Sequence, residues 1–157
     1  MTLPLEDVQD YPRPPALEPV PTRLRVILAG AVLAETTSGY RVLETHHPPT
    51  YYFPPEDVQQ GALTRTTGSS WCEWKGAARY FDAKVGGMVS HRAAWAYPQP
   101  TKRFAPIAGF FSFYPERVEA CFVGEELVEN QPGSFYGGWV TSNLTGVIKG
   151  GPGTEGW

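Results

Sequence analysis

The chain has 157 residues, with 13 basic against 16 acidic side chains and a net charge of −3. That length suits one domain able to bury a core without help from disulfides or metals, and the mildly acidic balance offers no electropositive footprint for a phosphate backbone, so nucleic acid is not an expected partner. The longest apolar run, Val26 to Ala34, is broken by Gly30 and is far shorter than the ~20 residues of a membrane span, and the opening MTLPLEDVQDYPRPP has neither the basic start nor the apolar middle of a signal peptide. A soluble, cytoplasmic protein with no membrane contact is the expectation.

Residues 1–22 carry prolines at positions 4, 12, 14, 15, 19 and 21, which forbid a regular helix and leave gaps in a sheet. An extended arm is expected there, with Leu3, Leu5, Val8 and Tyr11 apolar enough for part of it to lie against the domain. A single β domain is expected over 23–129. It begins with alternating Leu24, Val26 and Leu28, a break at Gly30 and a resumption through Val32 and Ala34, the pattern of a hairpin. Tyr40 to Thr45 and Thr50 to Phe53 read as strands bracketed by turn residues, and PPEDV as a turn. RYFDAKVGGMVSHRAAW is a second hairpin, because a Gly-Gly pair adopts the positive φ of a tight turn. Ile107 to Tyr114 and Arg117 to Gly124 are predicted as two further strands. Helical periodicity is absent, so the fold class is all-β, built from roughly seven to nine short strands.

Residues 130–157 are rich in glycine yet carry Phe135, Tyr136, Trp139, Val147, Ile148 and Trp157. Low hydrophobicity is what keeps a tail disordered, so this extension is expected to dock on its own domain or on a second copy, giving a possible homodimer.

The order VLETHHPPTYYFPPEDV, CEWKGAARYF, AAWAYPQP and IAGFFSFYPERVEA resembles the domain of unknown function 427 family over roughly residues 23–120. The resemblance implies a small β-tent-like domain of two leaning antiparallel sheets. It also brings an occasional nucleotidyltransferase-like label, for which the chain has neither a GxxxxGK[ST] loop nor paired carboxylates at strand spacing. Zinc is likewise not expected: there is no CxxC, and adjacent His46 and His47 on a strand would face opposite ways. No metal and no cofactor is implied, and Cys72 and Cys121 read as free thiols, the latter in the core.

The same stretch packs aromatic and polar residues in the proportion of a small-molecule pocket. Tyr52, Trp74, Tyr80, Trp95 and Tyr97 would supply walls with polar tips, and Lys75-Gly76 a cation beside a close backbone approach for a small polar or anionic ligand. Cys72, Lys75, His46 and Glu44 are the catalytic candidates should the pocket react, Cys72 through a thiol activated by a neighbouring cation or histidine. Three readings stay open: ligand binding, a small-metabolite enzyme, and a structural or interaction module.

Overall fold

The computed structural model describes residues 3–132, 136–151, 153 and 154. In chain order its strands are β1 (Glu6–Asp7), β2 (Ala16–Val20), β3 (Leu24–Leu28), β4 (Ala31–Thr36), β5 (Gly39–Leu43), β6 (Thr50–Tyr52), β7 (Leu63–Cys72), β8 (Gly76–Val85), β9 (Met88–Ala96), β10 (Phe111–Phe113), β11 (Ala120–Val123), β12 (Glu126–Leu127), β13 (Glu129–Asn130), β14 (Trp139–Val140) and β15 (Leu144–Thr145). The helical pieces among the described residues are short 3-10 turns at Val8–Asp10, Pro55–Asp57, Lys102–Ile107 and Pro115–Arg117. The protein is all-β.

Alternation decides the first hairpin. Leu24, Val26 and Leu28 on β3 are buried while Arg25 and Ile27 are less so, and Ala29 and Gly30 turn the chain with φ of 52° and 74° into β4. Two consecutive positive φ values match the twist of the flanking strands. In the second hairpin Gly86 (φ 59°) and Gly87 join β8 to β9, with Val85 opposite Met88.

β12-β11-β3-β4 form one antiparallel sheet, and β10-β9-β8-β7 a second. β2-β5-β6 form a third, and reciprocal hydrogen bonds of 2.8 and 2.9 Å between Phe53 and Phe111 bring its β6 edge alongside β10. The sheets are open rather than closed into a barrel. The main core lies between them, with Leu24, Val26 and Leu33 from one side meeting Phe53, Ala94 and Phe113 from the other.

Three local departures from the sequence reading have plain causes. The strand predicted over Ile107 to Tyr114 is confined to Phe111–Phe113, because Pro106 sits in the 3-10 turn Lys102–Ile107. The strand predicted over Arg117 to Gly124 begins only at Ala120, because Pro115 starts the turn Pro115–Arg117. The ten-residue β7 was not anticipated, since LTRTTGSSWC lies along the outer edge of its sheet and shows no apolar alternation.

The proline-rich N-terminal segment joins the sheets. β2 takes an edge position against β5, where Pro19 removes no needed ladder bond. Arg41 on β5 forks onto Glu6 with bonds of 3.0 and 2.8 Å and also bonds Glu18, tying β1 and β2 to the same residue. The C-terminal segment docks on its own domain. Trp139 is fully buried, its indole Nε1–H donates to the Phe113 carbonyl at 3.0 Å, and its ring lies 5.0 Å from that of Tyr51. β15 pairs in parallel with β1. Phe135 and Trp157 lie outside the described residues.

Candidate functional site

A cavity of about 480 Å³ opens beside a cluster of Tyr52, Trp95, Tyr97 and Tyr114, where β5 and β6 meet the β7–β8 hairpin. Small-molecule sites have this size and composition. One end is made by the hairpin turn. β7 ends at Cys72 opposite Gly76, leaving Glu73, Trp74 and Lys75 as a three-residue loop. Gly76 has a φ of 104°, which side-chain-bearing residues rarely adopt, and the loop is pinned from behind by the Thr101 hydroxyl donating to the Trp74 carbonyl at 2.6 Å and the Thr101 N–H donating to the Lys75 carbonyl at 3.1 Å.

Lys75 is 9% exposed, a rare placement for an ammonium group. Burial opposes its charge, but the Tyr52, Cys72 and Glu44 side chains around it favour the charge by more, so its pKa is held above the ordinary lysine value and it is protonated at neutral pH. Its Nζ stands 5.8 Å above the Tyr97 ring. Among the described residues no carboxylate forms an ion pair with it.

A second polar group is assembled from His47, Gln131 and Lys149. His46 has a φ of 67°, and the Lys149 N–H donates to its carbonyl at 2.7 Å, so the C-terminal segment clasps the turn that carries the histidines. Gln131 is fixed at both ends, its Oε1 accepting from the Gly138 N–H at 3.2 Å and its Nε2 donating to the Lys149 carbonyl at 2.9 Å. That orientation presents the same Nε2 to His47 Nδ1 at 3.3 Å, making Nδ1 an acceptor and placing the imidazole proton on Nε2. Burial, then the charges of Lys149 and Lys75, push the His47 pKa down to about 4, so the ring is neutral at pH 7. Lys149 Nζ lies 5.2 Å above the Tyr136 ring, whose edge contacts His47 at 5.0 Å.

Between these groups stand the aromatic walls. Tyr52 touches Trp95 and Tyr97, and Trp95 lies 4.6 Å from Tyr114. Tyr80 donates its hydroxyl to Ser70 at 2.8 Å, and its ring is backed by the Arg92 guanidinium at 4.7 Å. Burial raises the pKa values of Tyr97 and Tyr114, so both stay protonated hydroxyls.

Of the residues singled out from the sequence, Glu44, Tyr52, Cys72, Trp74, Lys75, Tyr80, Trp95 and Tyr97 all line this cavity. Gly76 and His46 do not. Gly76 serves the hairpin conformation and packs toward the Gln99 carbonyl, 3.4 Å from where a Cβ would sit. His46 Nδ1 instead lies 3.1 Å from the Val147 carbonyl, and it is His47 that enters the cavity. Tyr114, Gln131, Tyr136 and Lys149 also line it and were missed, the last three because they come from the C-terminal segment. Cys121 is buried in the main core, where desolvation raises its thiol pKa. Among the described residues no three His, Cys, Asp or Glu side chains group as metal ligands, and no helix is long and apolar enough to cross a membrane.

Residues 16–124 match the family model described as Domain of unknown function (DUF427), whose short label refers to nucleotidyl transfer. That span includes the hairpin turn and the aromatic walls, while Gln131, Tyr136 and Lys149 lie beyond it. No curated protein matches the chain.

Proposed function

The chain belongs to the domain of unknown function 427 family, and from that premise we propose that it is a binding protein for a small anionic ligand held in the aromatic cavity, with Lys75 as the anchor. The observation that carries this reading is the Lys75 ammonium, nine-tenths withdrawn from solvent on the cavity wall with no carboxylate in an ion pair with it among the described residues. An anion entering the cavity gives that ammonium the charge-assisted hydrogen bond that no carboxylate of the described chain supplies. The His47 Nε2–H and Lys149 add donors at the second polar group.

The test is a thermal-shift screen with small aromatic carboxylates, sulfonates and phosphates on the wild type and on Lys75→Met. A ligand bound to the native state alone raises the melting temperature. The expected result is a dose-dependent rise that Lys75→Met abolishes, while the unliganded variant still melts in a single cooperative transition. Anion-induced shifts of equal size in both proteins, or none in either, overturn the reading.

Catalysis through Cys72 is a second reading, favoured by its placement beside Lys75 at the end of the same hairpin on the cavity wall. It predicts iodoacetamide labelling of Cys72 that slows in Lys75→Met, read by mass spectrometry; equal rates count against it. A cytoplasmic location and a homodimer through the C-terminal segment complete the proposal. The exposed Val147 is the feature of that segment open to a second copy, and light scattering on the wild type and Val147→Glu tests it.

A further inference from the structure

Four charged side chains line the cavity, Glu44, Lys75, Lys149 and the solvent-exposed Glu73, and none of them forms an ion pair among the described residues. Lys75 and Lys149 have no carboxylate partner among the described residues. The half-buried Glu44 carboxylate accepts no hydrogen bond and joins no ion pair there either, although its charge reaches Lys75. Flexible, oppositely charged side chains lining one cavity ordinarily pair where they can reach each other, since pairing offsets part of the desolvation each has undergone. Here Glu44 and Lys75 line one cavity without an ion pair between them. Their backbones are pinned, Glu44 directly after β5 with its carbonyl accepting from the His47 N–H at 3.0 Å, and the loop carrying Lys75 by the Thr101 bonds to the Trp74 and Lys75 carbonyls.

An unpaired cation and an unpaired anion lining one cavity are complementary to a ligand that carries the opposite pair. Resting on the anion-binding reading above, we infer that the cavity selects small aromatic zwitterions, Lys75 taking the anionic group, Glu44 the cationic group, and the tyrosine and tryptophan walls the ring. A simple monoanion leaves Glu44 unpaired and facing a like charge. A zwitterion satisfies both side chains, and electron-rich rings such as Trp95 and Tyr52 favour a neighbouring ammonium group through their π faces. Lys149, on the segment beyond the family match, adds a second positive charge on the anionic side of this selection.

Isothermal titration with L-tryptophan, indole-3-propionate and tryptamine isolates the two charges, because the second lacks the ammonium group and the third the carboxylate. On the wild type L-tryptophan is expected to bind about tenfold or more tightly than either, a difference of about 1.4 kcal/mol. In Glu44→Gln the advantage over indole-3-propionate shrinks to within about twofold, while indole-3-propionate itself binds as well as before or better. Indole-3-propionate matching or exceeding L-tryptophan on the wild type overturns the zwitterion inference and leaves anion binding standing. A tryptophan preference that survives in Glu44→Gln, with the variant's melting temperature unchanged, overturns it as well. Failure of every anion in the thermal-shift screen is a different result, and it removes the anion-binding reading beneath it.

Discussion

His47 shows how one buried side chain makes the molecule sensitive to acid. Its folded pKa of about 4 lies below the ordinary value of 6.5, so between those limits the unfolded chain binds the extra proton and the folded chain does not. Its stabilising contribution is therefore fully present above about pH 6.5 and is lost as the pH falls toward 4, for a total of roughly 3 kcal/mol at about 1.4 kcal/mol per unit. Glu6 acts later. Burial raises its pKa, but hydrogen bonds from Arg41 and Tyr11 and the Arg41 charge lower it further, leaving a net depression below 4.5. That contribution is present above pH 4.5 and disappears only as the pH falls through the lowered value. Melting temperatures from pH 8 to 4 should drop in the wild type below pH 6.5 and drop less in His47→Gln; a flat wild-type profile from pH 6.5 to 5 would sink the account of a neutral buried His47. The HHPP motif was visible in the sequence, but the choice of His46 over His47 was not decidable from it. Strand alternation was the wrong frame, because the pair lies in a turn where the positive φ of His46 sends its neighbour into the cavity.

The β7–β8 hairpin is the element on which the site depends, and Gly76 is its least replaceable residue. An alanine there must accept a φ of 104° and meet the Gln99 carbonyl at 3.4 Å, and such backbone placements cost on the order of 1–3 kcal/mol. Gly76→Ala should therefore lower the urea midpoint by that amount and weaken anion binding by displacing Lys75. Gly87→Ala, in the other hairpin with no atom near its new Cβ, should stay within about 0.5 kcal/mol of the wild type. Equal effects from the two substitutions would show that the hairpin turn is not under conformational constraint. The β8–β9 hairpin was legible because Gly-Gly punctuates alternating residues, whereas β7 was not. Nothing in TRTTGSS tells an exposed edge strand from a loop, because only one of its sides meets a neighbouring strand and neither face is apolar enough to leave a pattern. The cluster CEWKG was recognisable as chemistry, but its glycine acts by shaping the turn and not by admitting a ligand.

At the scale of the whole molecule the two terminal segments complete the fold that the central strands begin. Glu6 and Glu18 converge on Arg41, and Trp139 fills the space among Tyr51, Phe53 and Phe113. The aromatic content of residues 130–157 foretold docking, yet it held no signal that Gln131, Tyr136 and Lys149 would reach the cavity, because long-range contacts made by an irregular segment have no period to read. If the segment is part of the cooperative unit, Trp139→Ala opens a core cavity and should cost about 3–5 kcal/mol. Trp139→Phe keeps most of the ring volume but removes the N–H that satisfies the buried Phe113 carbonyl, and should cost a further-reduced ~1–3 kcal/mol. Both variants should lose stability in a single urea transition of unchanged slope, and Trp139→Ala should weaken anion binding along with it, since the same segment holds Lys149 against His46. A Trp139→Ala protein with a near wild-type midpoint and a separate early transition would instead make the C-terminal segment an independent flap. In that case the second polar group of the cavity would form and dissolve without the domain unfolding, and ligand affinity would follow the flap's equilibrium rather than the stability of the sheets.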